Sequence, residues 1–100
     1  MVLLEFSIYP LDKGVSLSPY VARCVDVIDR SGLAYEMHAM GTLIEGDYDA
    51  VMAVVHQCFE ALRTDCDRIV CSLKFDYRKG ARHPMREKVE SVERQRNKLS

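Results

Sequence analysis

The apolar residues of this chain twice change their spacing from every second position to every third or fourth and back, and this switching limits the fold more than any other feature. From Val2 to Tyr9, Leu4, Phe6 and Ile8 alternate with Glu5, Ser7 and Tyr9, the period of a strand covered on one side. Pro10 is expected to end that strand. Asp12, Lys13 and Gly14 form a loop, after which Ser18-Pro19 reads as an N-cap followed by proline at the first helical position. Val21, Cys24, Val25 and Ile28 then recur at helical spacing until Ser31-Gly32 stops the helix.

Alternation returns between Leu33 and Glu45, where Tyr35, Met37 and Ala39 precede Met40-Gly41-Thr42 and Leu43-Ile44, a pattern that predicts a hairpin around a glycine turn. Beyond Gly46-Asp47, the residues Tyr48, Val51, Met52, Val55, Cys58, Phe59 and Leu62 make the longest helical stripe of the chain. From Arg68 to Arg78, Ile69, Cys71, Leu73, Phe75 and Tyr77 share one face and Val70, Ser72, Lys74 and Asp76 the other. A charged loop to Pro84 precedes a last helix, with Met85, Val89, Val92 and Leu99 in a narrow apolar stripe.

Strand, helix, strand, strand, helix, strand closes with right-handed crossovers into a four-stranded antiparallel sheet with two helices on one face and a C-terminal helix besides. This predicts an α+β, ferredoxin-like βαββαβ fold. One hundred residues with 48% hydrophobic content suit one packed core, so residues 1–100 are expected to form a single domain. The uncovered sheet face should carry Glu5, Ser7 and Tyr9 beside Ser72, Lys74 and Asp76. The third helix has no core left to enter, so its stripe is expected to pack on another subunit.

A net charge of −1 with 29% charged residues argues against disorder and against nucleic acid as a partner. No apolar run approaches the roughly 20 residues that span a bilayer, and no basic leader precedes the first strand, so no membrane partner and a cytoplasmic location are expected. Cys24, Cys58, Cys66 and Cys71 sit among apolar neighbours, which favours reduced, mostly buried thiols over a disulfide framework. No Cys-x-x-Cys pair is present, and His56 and Cys58 would point about 200° apart on a helix; neither a metal nor a cofactor is expected.

Catalytic constellations are absent from the pattern. Ser16 and Ser18 have no partnered histidine in a recognisable motif, and His38, His56 and His83 fall on three different elements. The five glycines form no phosphate-cradling spacing, and an RNA-binding sheet would need more outward aromatic residues than Tyr9. Glu90 and its neighbours Glu87 and Glu93 interleave the basic residues of the last helix, as an ion-paired surface does. Glu45 and Asp47 flank Gly46 where a strand meets a helix. Asp47 reads as an N-cap, and Glu45 as either a contact for a cationic or amino-bearing ligand or a purely structural carboxylate.

Five segments taken together, Ser7-Ile8-Tyr9-Pro10-Leu11, Ser18-Pro19-Tyr20-Val21, Met40-Gly41-Thr42-Leu43-Ile44-Glu45-Gly46, Leu73-Lys74-Phe75-Asp76-Tyr77-Arg78 and Lys88-Val89-Glu90-Ser91-Val92, resemble the small thiamine-binding protein family, formerly a domain of unknown function. The resemblance implies a ferredoxin-like fold, homodimers assembling to homotetramers, and non-catalytic binding of thiamine or its hydroxymethylpyrimidine moiety in vitamin salvage, delivery or sensing. Carried over by position, Ser7 and Thr42 would be hydroxyl partners, Tyr9 a wall, Glu45 and Asp76 carboxylate partners, and Ser18 a loop contact. An aminopyrimidine wants an apolar or aromatic wall with polar partners, and a thiazolium cation wants negative or π-rich surroundings. Phe59-Glu60 departs from the family, where a His-Glu pair is frequent. Two rival readings stand beside this one: an oligomeric structural or regulatory assembly protein with no small-molecule ligand, and an enzyme using Glu45 or Asp76 as general acid or base.

Overall fold

The computed structural model describes residues 1–99. The elements run β1 (Val2–Pro10), α1 (Ser18–Arg30), β2 (Ala34–His38), β3 (Gly41–Gly46), α2 (Tyr48–Arg63), β4 (Ile69–Tyr77) and α3 (Pro84–Asn97). The strands form one antiparallel sheet in the order β2-β3-β1-β4, which is the ferredoxin-like arrangement expected from the sequence.

Period-2 alternation decides which side chains enter the core. Val2, Leu4, Phe6 and Ile8 of β1 and Ile44 of β3 point to the helix side and are buried with Cys24 and Ile28 of α1 and Val51, Val54, Val55, Cys58 and Leu62 of α2. The thiols of Cys24 and Cys58 each donate to the other residue's carbonyl, at 3.8 and 3.5 Å, holding the two helices together. Arg23 adds a bidentate pair with Asp65, both bonds 2.8 Å long. The Arg23 guanidinium holds the Asp65 carboxyl down to about 2.

Several details differ from the sequence reading. Leu17, not Ser18, caps α1: its carbonyl takes the N–H groups of Tyr20 and Val21, and Ser18 is already helical. Asp47 does occupy the cap position of α2 but makes no side-chain cap bond. Gly41 is not the hairpin turn; Ala39 and Met40 are, and Gly41 opens β3 opposite His38. Glycine is needed there because a Cβ would lie 2.7 Å from the Phe6 carbonyl oxygen. Cys71 is exposed, whereas the other three cysteines are buried free thiols.

Two larger differences concern apolar surface. The helices sit over β1, β3 and β2, so the helix-side face of edge strand β4 stays open. Leu73, Phe75 and Tyr77 are exposed there beside Tyr48 and Phe59 of α2, and Tyr48 packs on Phe75 with ring centroids 5.5 Å apart. The start of the third helix finds a surface within its own chain. Its first turn docks on the outer face of its own sheet, with Pro84 buried and Met85 half-buried, whereas Val89 and Val92 remain exposed. The reason is a carboxylate 40 residues away: Glu45 of β3 accepts the Met85 N–H at 2.9 Å.

Candidate functional site

The strands of the sheet differ in length, and that difference makes a recess. Pairing of β1 with β3 ends at Phe6↔Thr42, whereas pairing with β4 continues to Pro10↔Ile69. Residues Ser7–Pro10 therefore have a strand on one side only. The open side faces a cavity of about 290 Å³ beneath α1, walled by Leu17, Val21, Cys24, Val25 and Ile28 and closed at its end by the β2–β3 turn. Its volume lies at the lower end of the ~300–1,000 Å³ common for small-molecule sites, which suits a single ring.

Backbone direction decides what this edge offers. The Leu11 N–H donates to the Arg68 carbonyl at 2.8 Å, on the β4 side, and the Phe6 carbonyl faces Gly41 on the β3 side. Because successive residues of a strand address opposite neighbours, Ser7 and Tyr9 bond toward β4 while Ile8 presents its N–H and C=O toward the recess. Pro10 addresses the same side but has no N–H to leave without a partner. One donor and one acceptor, side by side on a strand edge, are thus aimed at a mostly apolar cavity.

The six residues expected at a ligand site separate into two groups. Ser7, Tyr9 and Thr42 line the recess, with Thr42 buried on the helix side of β3 opposite Phe6 and Ser7 and Tyr9 half-buried at its rim. Ser18 lines an adjoining groove that shares Leu17, Val21, Val25 and Ala39 with the recess. Glu45 and Asp76 lie elsewhere, on the outer sheet face under α3. Glu45 takes over the cap that the His83 side chain does not supply, and Asp76 pairs with Lys88 of α3 at 2.6 Å. The expected meeting of carboxylates and hydroxyls is therefore not formed within one protomer.

Sequence reasoning missed the apolar walls from α1, the Ile8 edge, and Cys24. The signal for the edge was present but unread: Ser7–Pro10 continues a strand that its hairpin partner is too short to follow. Cys24 lines the recess with its thiol donating to the Cys58 carbonyl, and the neighbouring Cys24 thiol together with burial pushes the Cys58 thiol's pKa up. Among the described residues no cluster of histidine, cysteine and carboxylate side chains is placed to hold a metal ion, and no helix is long and apolar enough to cross a membrane.

Fold and recess together define an open-faced ferredoxin-like domain with a ligand-sized cavity at the end of its sheet. A family profile described as thiamine-binding protein matches residues 4–93, and the chain belongs to that family. It is 44% identical over 93 residues to the UPF0045 protein sll0230 of Synechocystis, covering 92% of this chain and 77% of that one. The UPF0045 protein MJ1052 of Methanocaldococcus jannaschii is 37% identical over 91 residues, 91% of each chain. Its crystal structure superposes with a TM-score of 0.85 over 91% of this chain and 94% of that one. A Thermotoga maritima structure, named for a proposed place in thiamine biosynthesis or salvage, matches at 25% identity with a TM-score of 0.80, covering 91% and 97% of the two chains.

Proposed function

We propose that this protein is a non-catalytic, cytoplasmic binding protein for thiamine or its hydroxymethylpyrimidine moiety, acting in vitamin salvage, delivery or sensing. The observation that carries the reading is the Ile8 edge. A 4-aminopyrimidine places an amino donor beside a ring-nitrogen acceptor, the complement of one residue's C=O and N–H on a strand with no neighbour. The Thr42 hydroxyl supplies a further polar contact, and the aliphatic side chains of α1 cover the ring faces. Membership of the thiamine-binding family and the name of the Thermotoga maritima neighbour agree with this ligand class.

Absence of turnover fits the same geometry, because the carboxylates best suited to acid–base work, Glu45 and Asp76, are engaged by α3. Self-association is supported by the open apolar row Leu73, Phe75 and Tyr77 on an edge strand nine residues long, since exposed edges and contiguous apolar surface are where chains pair. A homodimer assembling to a homotetramer is the expected state, checked by light scattering.

Calorimetry decides the ligand. Hydroxymethylpyrimidine should bind saturably, and the analogue lacking the 4-amino group should bind about tenfold more weakly, the loss of one hydrogen bond that leaves a buried acceptor unpaired. No heat from thiamine or hydroxymethylpyrimidine at high micromolar concentration overturns the reading. It would leave the alternative of an assembly protein with no small-molecule ligand, for which the apolar row alone would account.

A further inference from the structure

The four cysteines end in unlike surroundings. Cys71 is exposed on β4, and Cys66 follows α2 with its thiol toward the Asp65 carboxylate. Cys24 of α1 and Cys58 of α2, 34 positions apart in sequence, meet in the core. Each thiol reaches the other residue's carbonyl, at 3.8 and 3.5 Å. This reciprocal reach lays two short side chains alongside each other, so that rotation about their Cα–Cβ bonds turns sulfur toward sulfur. The core would accept a small apolar residue at either position; two thiols set against each other can also join covalently.

The two sulfurs are not equally accessible. Cys24 lines the recess, so a molecule small enough to enter meets that residue first. Cys58 is fully buried, and the neighbouring Cys24 thiol together with burial holds its thiol protonated. An entry thiol that a small oxidant can reach, with a second thiol against it and shielded from that oxidant, is the order that a two-step oxidation to a disulfide requires.

We propose that Cys24 and Cys58 form a redox-sensitive clamp, in which hydrogen peroxide entering the recess converts the pair to a disulfide that ties α1 to α2. Attack of the Cys24 sulfur on one peroxide oxygen breaks the O–O bond and leaves Cys24 as the sulfenic acid, with release of one water. The Cys58 sulfur then displaces the sulfenic oxygen as a second water and closes the S–S bond. Two thiols lose two protons and two electrons, and one peroxide becomes two waters. A thiol reductant such as glutathione reverses the step by exchange, its own thiols leaving as a disulfide. Because α1 supplies the Leu17, Val21, Val25 and Ile28 walls, the bond fixes the position of that wall, whatever the recess holds.

The test treats the folded full chain with hydrogen peroxide, blocks the remaining thiols and maps the peptides by mass spectrometry without reduction. The Cys24 and Cys58 peptides should be found joined, two hydrogens lighter than their sum, and dithiothreitol should part them. The joined protein should melt about 10 °C higher, and the amides of α1 should exchange more slowly. Cys71→Ser, which removes the exposed thiol, should form the same bond at the same peroxide concentration. In Cys58→Ala, Cys24 should stop at the sulfenic acid and be captured by dimedone; if that variant fails to fold, the peptide map of the unaltered chain decides alone. Cys24 and Cys58 both recovered as free thiols after Cys71 has been oxidised would overturn the proposal. So would a bond that links either of them to Cys71 instead, or one that forms only in denaturant.

Discussion

Removing the Glu45 carboxylate should release α3 and leave the recess as it was. Glu45 is buried on β3, and its Oε1 accepts the Met85 N–H at 2.9 Å, the position an N-cap side chain ordinarily serves. A hydrogen bond to a charged group is worth about 1.5–3 kcal/mol. The polar tie that does not involve Glu45, Lys88 to Asp76, is half-exposed on both sides and contributes at most about 1 kcal/mol. Glu45→Ala should therefore raise the undocked population of α3 by about 10- to 150-fold, with RT near 0.59 kcal/mol. Glu45→Gln keeps an acceptor oxygen but loses the charge, so about half the free energy and a three- to tenfold rise are expected.

Amide hydrogen exchange resolved by element reads this directly. Exchange should accelerate across Pro84–Asn97 while β1, β3 and α2 stay protected, and affinity for hydroxymethylpyrimidine should change less than twofold. Unaltered protection of α3 in Glu45→Ala, together with a tenfold loss of pyrimidine affinity, would refute the reasoning and return Glu45 to the ligand.

Three further outcomes are expected. Gly41→Ala forces a Cβ to 2.7 Å from the Phe6 carbonyl and should lower the melting temperature and weaken pyrimidine binding together; a variant as stable and as tight as the unaltered protein would show that the hairpin end yields freely. Asp65 has a folded pKa of about 2, below its unfolded value, so the Arg23 pair stabilises the fold above the ordinary carboxylate range and is lost as pH falls toward 2. Melting curves should show that loss in the unaltered protein and a smaller one in Asp65→Asn. Thiol labelling of the native protein should modify Cys71 first, with Cys24, Cys58 and Cys66 protected by burial; earlier labelling of Cys24, read by peptide mass mapping, would mean that the recess opens wider than its walls indicate.

The strands and helices were legible because alternation and helical spacing are local signals, and the core followed from them. Leu4, Phe6 and Ile8, and the stripe from Val51 to Leu62, are buried as the periods require. What was hidden depends on pairs distant in sequence. The apolar residues of β4 read as a core face, yet Leu73 and Phe75 stay exposed because both helices settle over the other three strands; helix placement leaves no mark on the period of β4. Thr42 read as part of a turn, and its burial depends on the register with Phe6. Ser18 has the composition of a cap, but the carbonyl of Leu17 already starts the helix. Glu45 sat at a strand end among suggestive neighbours, and only the return of the chain after β4 brought the Met85 N–H to it.

A recess left by a short strand would ordinarily collapse, so its persistence needs its own cause. The Ser7–Pro10 stretch does not depend on β3 for its straightness, because β4 pairs with it as far as Pro10↔Ile69. The Leu11 N–H continues that ladder one residue further, to the Arg68 carbonyl. Asp12 then ties the following loop to the N–H of Asp67 at 2.8 Å. The opposite wall cannot slide inward either, since α1 is fixed to α2 by the crossed thiol bonds of Cys24 and Cys58 and by the Arg23–Asp65 pair. The hairpin end is set by the close approach of Gly41 to Phe6. Each wall is thus held from outside the cavity, and a ligand entering it orders little that is not ordered already. Preorganisation of that kind lowers the cost of binding, and it lets a cavity with few polar groups hold a small ring through two backbone hydrogen bonds and apolar contact.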